Sequence, residues 1–277
     1  MTNDEQNPSL AEALDAEVSR FHRRTKMQFM RPLTLLISDF EFEYDMASFR
    51  RYQQAENDPT EGWVRWPFHH LVAGSWMTMT FIPGLSAPKL GPIHRLTAKD
   101  SSESEIAKAY CANAEIVAGG VLASWGGEQK DWPVMRRVAS EFGFALPPQL
   151  LDLNVHSKLR LDLCNATSGQ ARCPHLPEHA MATGVPCKPM PSYAVGDAVL
   201  QRRWDLVEQQ AIADLFTIAI LTARHSIAHR MTNAALEPTE EAIAGHFAEA
   251  YPESDFHRAS VHRLRAARAK PWVSLVA

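Results

Sequence analysis

Apolar residues recur along this chain with two different periods, and the change between them marks out the elements. Residues 33–40 (LTLLISDF) are mostly apolar up to their acid, the composition of a central strand buried on both faces. Residues 71–82 hold the alternating WMTMTFI and predict one or two sheet strands, broken by Pro83-Gly84. From 101 to 117 the apolar positions Ile106, Ala109, Tyr110, Ala114 and Val117 fall near a period of 3.6 behind a Ser/Glu-rich start, which predicts an amphipathic helix. A short strand at 120–124 runs into Gly126-Gly127, then a helix over 131–142, and KLRLDL at 158–163 is a further strand. HLPEHAMATG predicts a short helix closed by Gly184, 186–192 reads as a loop, and the longest helix is predicted over 198–225. Strands early and helices concentrated late argue for an α/β domain built on a mixed sheet.

The flanks differ in character. Residues 1–30 are polar and helix-prone and predict an arm, 31–230 hold the α/β domain, and 231–277 predict a helical tail. Residues 45–62 are charged and lack a clean period, which predicts an excursion between the first two strands.

Composition narrows the class without deciding it. The chain has 277 residues, 45% hydrophobic and 22% charged, ordinary for a globular protein able to bury a sizeable core. With 28 basic against 32 acidic residues the net charge is −4, so attraction to a polyanion must come from local patches. Two are candidates: His22, Arg23, Arg24 and Lys26, and Arg258, Arg263, Arg265, Arg268 and Lys270, each equally readable as a solvated helix face. Cys111, Cys164, Cys173 and Cys187 show no Cys-x-x-Cys spacing, and Cys164, Cys173, His175 and Cys187 fit no common zinc ribbon or finger. Free thiols in a reducing cytoplasm are the expectation. The polar start and the lack of a run of about 20 apolar residues argue against a membrane protein.

The chemistry is carried by carboxylates. Asp39 and Glu41 stand two apart at a strand end, so their side chains leave the same face and one cation can touch both. Asp131 opens a helix, where a plain capping role is the bland reading. Asp214 lies on the otherwise apolar stripe Val207, Ala211, Ile218 and Leu221, where burial demands a cation or firm donors; a Lys or Arg partner is the alternative to a metal. Oxygen ligands of this kind suit Mg²⁺ or Mn²⁺.

Three segments in order, ISDFE, SWGGEQKDWPVM and QAIAD, resemble the motifs of the 3′-5′ exonucleases of the ribonuclease H-like superfamily whose core acids read Asp, Glu, Asp, Asp. The likeness is greatest to the branch related to the exonuclease domain of family B DNA polymerases, and it spans residues 31–228. Gly127, Asp131 and Pro133 match the second motif, while Gly126 and Lys130 replace its Asn and Phe. In the third, Gln210 and Gln209 stand where the family has Tyr or His. The resemblance implies a ribonuclease H-like mixed β-sheet flanked by helices, with helical N- and C-terminal extensions. It further implies two Mg²⁺ or Mn²⁺ ions, with Asp39 bridging both, Glu41 and Asp214 completing one site and Asp131 holding the other. The implied reaction removes nucleoside 5′-monophosphates from the free 3′ end of a single-stranded nucleic acid.

Gln210 shares a helix face with Asp214 and can hydrogen-bond a water but cannot act as a base near neutral pH. Three outcomes stay open: metal ions suffice to activate the water, His225 or His229 substitutes, or the protein cleaves slowly or not at all. In the last case it would be a nucleic-acid-binding protein that kept the fold. A hydrolase of small phosphodiesters is a third reading. Asp162 within KLRLDL, where related sequences carry His in place of Arg160, is expected to be structural or to support the site, and Lys188 to be a solvated lysine or a phosphate contact.

Overall fold

Strand β1 (Leu33–Tyr44) organises the molecule, because side chains alternate across it and each face is covered by helices. The structure, a computed structural model, describes residues 14, 15, 17, 31–56, 62–154, 156–188, 190 and 192–269. The arm expected over 1–30, with its basic cluster, lies outside the described residues apart from three positions. β1 pairs antiparallel with β2 (His69–Phe81), a single strand where one or two were expected. On its other side it pairs parallel with β5 (Val121–Ser124), which in turn pairs parallel with β6 (Arg160–Asp162). Two short strands without a sequence signal, β3 (Lys89–Leu90) and β4 (His94–Thr97), add to β2. The order β3-β2-β1-β5-β6, with β4 off the path on β2, makes a mixed sheet flanked by helices, the α/β class expected.

Leu36, Phe40 and Trp76 pack one face of the sheet against α2 (Glu103–Ile116) and α3 (Asp131–Phe142). Both helices lie within two residues of their expected bounds, and α2 opens on the capping box of Ser102 and Glu105. Leu35, Ile37, Met77 and Met79 pack the other face against α8 (Trp204–Ala228). Ile243, Phe247 and Leu264, from α9 (Leu236–Ala250) and α10 (Asp255–Ala269), complete that same core. Smaller helices fill the connections: α4 (Pro148–Leu151), α5 (Leu163–Ser168) and α6 (Leu176–Ala182).

Two expectations need correction. Residues 45–62 contain a helix, α1 (Met46–Ala55), N-capped by Asp45, which accepts from the Ser48 amide at 2.9 Å. It buries only Phe49, so an apolar period was never required of it. The helix expected over 198–225 is two helices, α7 (Ser192–Leu200) and α8, because the chain turns at Arg202 with a left-handed φ of 55°. By length and composition α8 could cross a bilayer, but 78% of its apolar window is buried within the fold. Its apolarity is that of a core helix, buried at every position from 210 to 223.

Candidate metal centre

The centre lies at the carboxyl ends of the parallel strands β1 and β5, where open α/β sheets leave room for ligands. Asp39 and Glu41 leave β1 on the side of α8, opposite Ser75 and Ala73 of β2. The Ser75 hydroxyl donates to the Ala211 carbonyl at 2.9 Å and fixes α8 across the sheet. That places Asp214 over the β1 acids, and ligand oxygens of Asp39, Glu41 and Asp214 all lie within 4.8 Å of one another. Among the described residues this is the one such group of three metal-ligating side chains.

Asp131 is buried at the first turn of α3, but it is not the capping residue: Lys130 holds that position and makes no side-chain cap. It stands outside the group of three, yet near enough that its charge helps to raise the carboxyls of Asp39 and Glu41. The turn that delivers it requires both glycines. Gly126 has φ 77°, a left-handed conformation natural to glycine, and a Cβ on Gly127 would come within 2.1 Å of the Ser124 hydroxyl and 2.9 Å of the Trp132 ring.

Asp162 holds this turn. Its carboxylate accepts from the amides of Gly126 and Glu128, both at 3.0 Å, and from the Asn165 side chain at 3.1 Å, while capping α5 through the amide of Cys164 at 3.0 Å. The structural role expected of it has this basis. Asp162→Ala would strand several buried donors together, and we expect a loss on the order of 3 kcal/mol in denaturant unfolding. A loss below about 1 kcal/mol would show that the turn stands without it. Arg160 is equally committed, donating to Glu128 at 2.8 Å and to the carbonyls of Gln149 and Asn154 at 2.7 Å each, with Asp152 as a further acceptor.

Asp214 is buried, and its Oδ2 is doubly bonded. The Gln210 amide donates to it at 2.9 Å and the Lys188 ammonium at 3.1 Å. Lys188 is therefore not the solvated lysine of the sequence reading: its side chain is only 11% exposed. Thr217 carries it there by donating to the Pro186 carbonyl at 3.0 Å, which clasps the loop after α6 onto α8. The lysine partner weighed for Asp214 is thus present, together with the acidic group that would bind a metal.

Gln210 is fully buried and directs its amide at Asp214 rather than at an open site. Its Oε1 is left as a buried acceptor without a partner. His225 and His229 stack on each other with centroids 3.9 Å apart at the far end of α8. Eleven residues of helix separate His225 from Asp214, about 16 Å, so neither histidine can substitute for Gln210.

Electrostatics show the strain of gathering these acids. Desolvation, then the charges of Asp214, Glu41 and Asp131, push the Asp39 carboxyl well above the usual carboxylate range. Desolvation and Asp214 raise Glu41 to about 7, and desolvation raises Asp131 to about 6 against the opposing charge of Lys130. Burial also raises Asp214, with Lys188 opposing it. For Lys188 burial alone would lower the ammonium; the charges of Asp214, Glu41 and Asp39 outweigh it and the net shift is upward. Asp39 Oδ2 and Asp214 Oδ1 are buried with no hydrogen-bond partner. Orphaned carboxylate oxygens are costly, and a hard divalent cation between them would satisfy both, so the donor set fits Mg²⁺ or Mn²⁺.

The remaining candidates do not join the site. Arg258, Arg265 and Arg268 pair with Asp255, Glu241 and Glu240, and Arg263 lies over the Phe256 ring, so the described part of the second basic patch serves contacts of α9 and α10. The four cysteines are free thiols.

No family model and no curated protein matches the sequence. Among solved structures, the family B DNA polymerase of the hyperthermophilic archaeon Pyrobaculum calidifontis superposes with a TM-score of 0.47 at 14% identity, over 79% of this chain and 28% of that one. A product-bound exonuclease I gives 0.37 at 11% identity, over 73% and 45%, and another exonuclease I structure 0.36 at 10%, over 72% and 42%. This chain thus spans less than half the length of each.

Proposed function

We propose that this chain is a divalent-metal-dependent 3′-5′ exonuclease that releases nucleoside 5′-monophosphates from single-stranded nucleic acid, with residues 31–230 as its exonuclease-like part. The observation that carries the reading is the group Asp39, Glu41 and Asp214, with oxygens of Asp39 and Asp214 buried and unpartnered. Asp39, Glu41 and Asp214 would hold one ion and Asp131, with Asp39, a second. Such ions polarise the phosphoryl oxygens and lower the cost of activating water and releasing the 3′-oxygen. Lys188 keeps Asp214 in place and offsets part of the negative charge met by an incoming phosphate. Gln210 holds the same carboxylate, and as a neutral amide it has no means of taking a proton from the attacking water.

A 5′-labelled single strand incubated with the protein and Mn²⁺ is expected to shorten stepwise, and EDTA to stop it. Internal cuts, or cleavage that continues in EDTA, would sink the proposal. A second reading, a nucleic-acid-binding protein without cleavage, is favoured by one feature: Lys188 and Gln210 already satisfy Asp214 Oδ2 without a metal. Retention of the strand without shortening would select it.

A further inference from the structure

Lys188 is bound to Asp214, but the other lysine at the centre is uncommitted. The Lys130 ammonium makes no ion pair or hydrogen bond among the described residues and rests 4.5 Å from the centroid of the Phe42 ring. Phe42 follows Glu41 on β1 but packs on the opposite face, with the core of α2 and α3, while Lys130 precedes Asp131 and its charge stands at the border of the carboxylate cluster. Its field reaches Glu41, Asp131 and Asp214, opposing the upward shift of each. From Phe42 the aromatic surface continues outward: its ring lies 5.9 Å from that of His69, and His69 lies 4.6 Å from Tyr44. Tyr44 ends β1 with 53% of its surface exposed.

A cation at the edge of the acids, followed by rings that run to the surface, has the composition of a single-strand path, in which ammonium groups take phosphates and aromatic faces take bases. We propose that the substrate strand leaves the carboxylates along Lys130, Phe42 and Tyr44, with Lys130 as a positioning residue for a phosphate and Tyr44 as a stacking platform for a base. This rests on the nuclease reading and adds to it the route and the contacts of the strand. Phe42 also gives Lys130 a definite seat, since a cation over a ring is held with less freedom than one in solvent.

The test is the salt dependence of binding to an oligothymidylate of about 12 nucleotides, read by fluorescence anisotropy with Ca²⁺ replacing Mg²⁺. Each phosphate neutralised on a single strand contributes about 0.7 to the slope of log affinity against log salt. Lys130→Gln is expected to lower the slope by about that amount, and Lys130→Arg to restore it. Tyr44→Ala is expected to weaken binding about tenfold at every salt concentration, with the slope unchanged, because stacking is not a counterion effect. An unaltered slope in Lys130→Gln overturns the phosphate contact, and unaltered affinity in Tyr44→Ala overturns the platform, while binding by the wild-type chain keeps the nuclease reading intact. A wild-type chain that does not bind the oligonucleotide overturns both readings.

Discussion

Asp39→Asn is expected to abolish metal-dependent cleavage and, at the same time, to raise the melting temperature of the metal-free protein. Asp39 lies beside Glu41 and Asp214, and Asp131 acts on it as well, so its charge is opposed by burial and by three carboxylates. Asparagine keeps the shape, removes that charge, and turns one oxygen into an amide that can donate to a neighbouring carboxylate. Without the metal, the substitution therefore relieves repulsion. With metal and substrate, the proposed site would lose a ligand and with it several kcal/mol of transition-state stabilisation, a fall of roughly 10³-fold or more in rate. The gain in stability should be larger at pH 8 than at pH 5, because at the lower pH the wild-type carboxyl already carries a proton. A folded Asp39→Asn protein that cleaves at the wild-type rate would place the reaction elsewhere.

Metal-free protein is expected to lose stability between pH 6.5 and pH 8, and saturating Mg²⁺ or Mn²⁺ to remove most of that loss. The sign follows from proton counting. Glu41 titrates near 7 and Asp39 well above the usual range in the folded chain, whereas both ionise near pH 4 when unfolded. Over the window the folded state therefore binds more protons than the unfolded one, and stability falls as pH rises through the folded values. Below pH 6.5 the opposite slope of His225 and His257, both lowered to about 4 by burial, would confuse the measurement. Above pH 8 the thiols intervene, since burial raises Cys111 to about 12. A bound cation takes over the role of the protons and releases them on binding. The increase in melting temperature produced by Mn²⁺ should accordingly be several degrees larger at pH 8 than at pH 6.5. An increase that is the same at both would mean that these carboxylates do not hold the metal.

How much of this could be read in advance depended on whether the signal was local. α3 spans Asp131–Phe142, the bounds expected, and the period of α2 and its start at Ser102 and Glu105 were legible, because helix starts and amphipathic stripes are written in neighbouring residues. α1 was missed because a helix that buries only Phe49 need not repeat an apolar residue. The break between α7 and α8 was missed because Arg202 adopts a left-handed conformation with no glycine to announce it. For the site, the i and i+2 acids of β1 and the i and i+4 pair Gln210 and Asp214 were legible for the same local reason.

What the chain determines by itself is thus the identity and local facing of the groups: two acids on one side of a strand, one acid opening a helix, one acid inside an apolar helix. The tertiary structure alone decided their company. Lys188 meets Asp214 across 26 positions because Thr217 clasps the Pro186 carbonyl, and Asp162 reaches back 36 positions to the amide of Gly126. The same packing excludes His225, which shares the helix of Asp214 but stands about 16 Å along it. Sequence spacing fixes direction within one element, through the periods of helix and strand. Which elements face each other is set by sheet register and the burial of whole faces, and no short stretch of sequence carries that information.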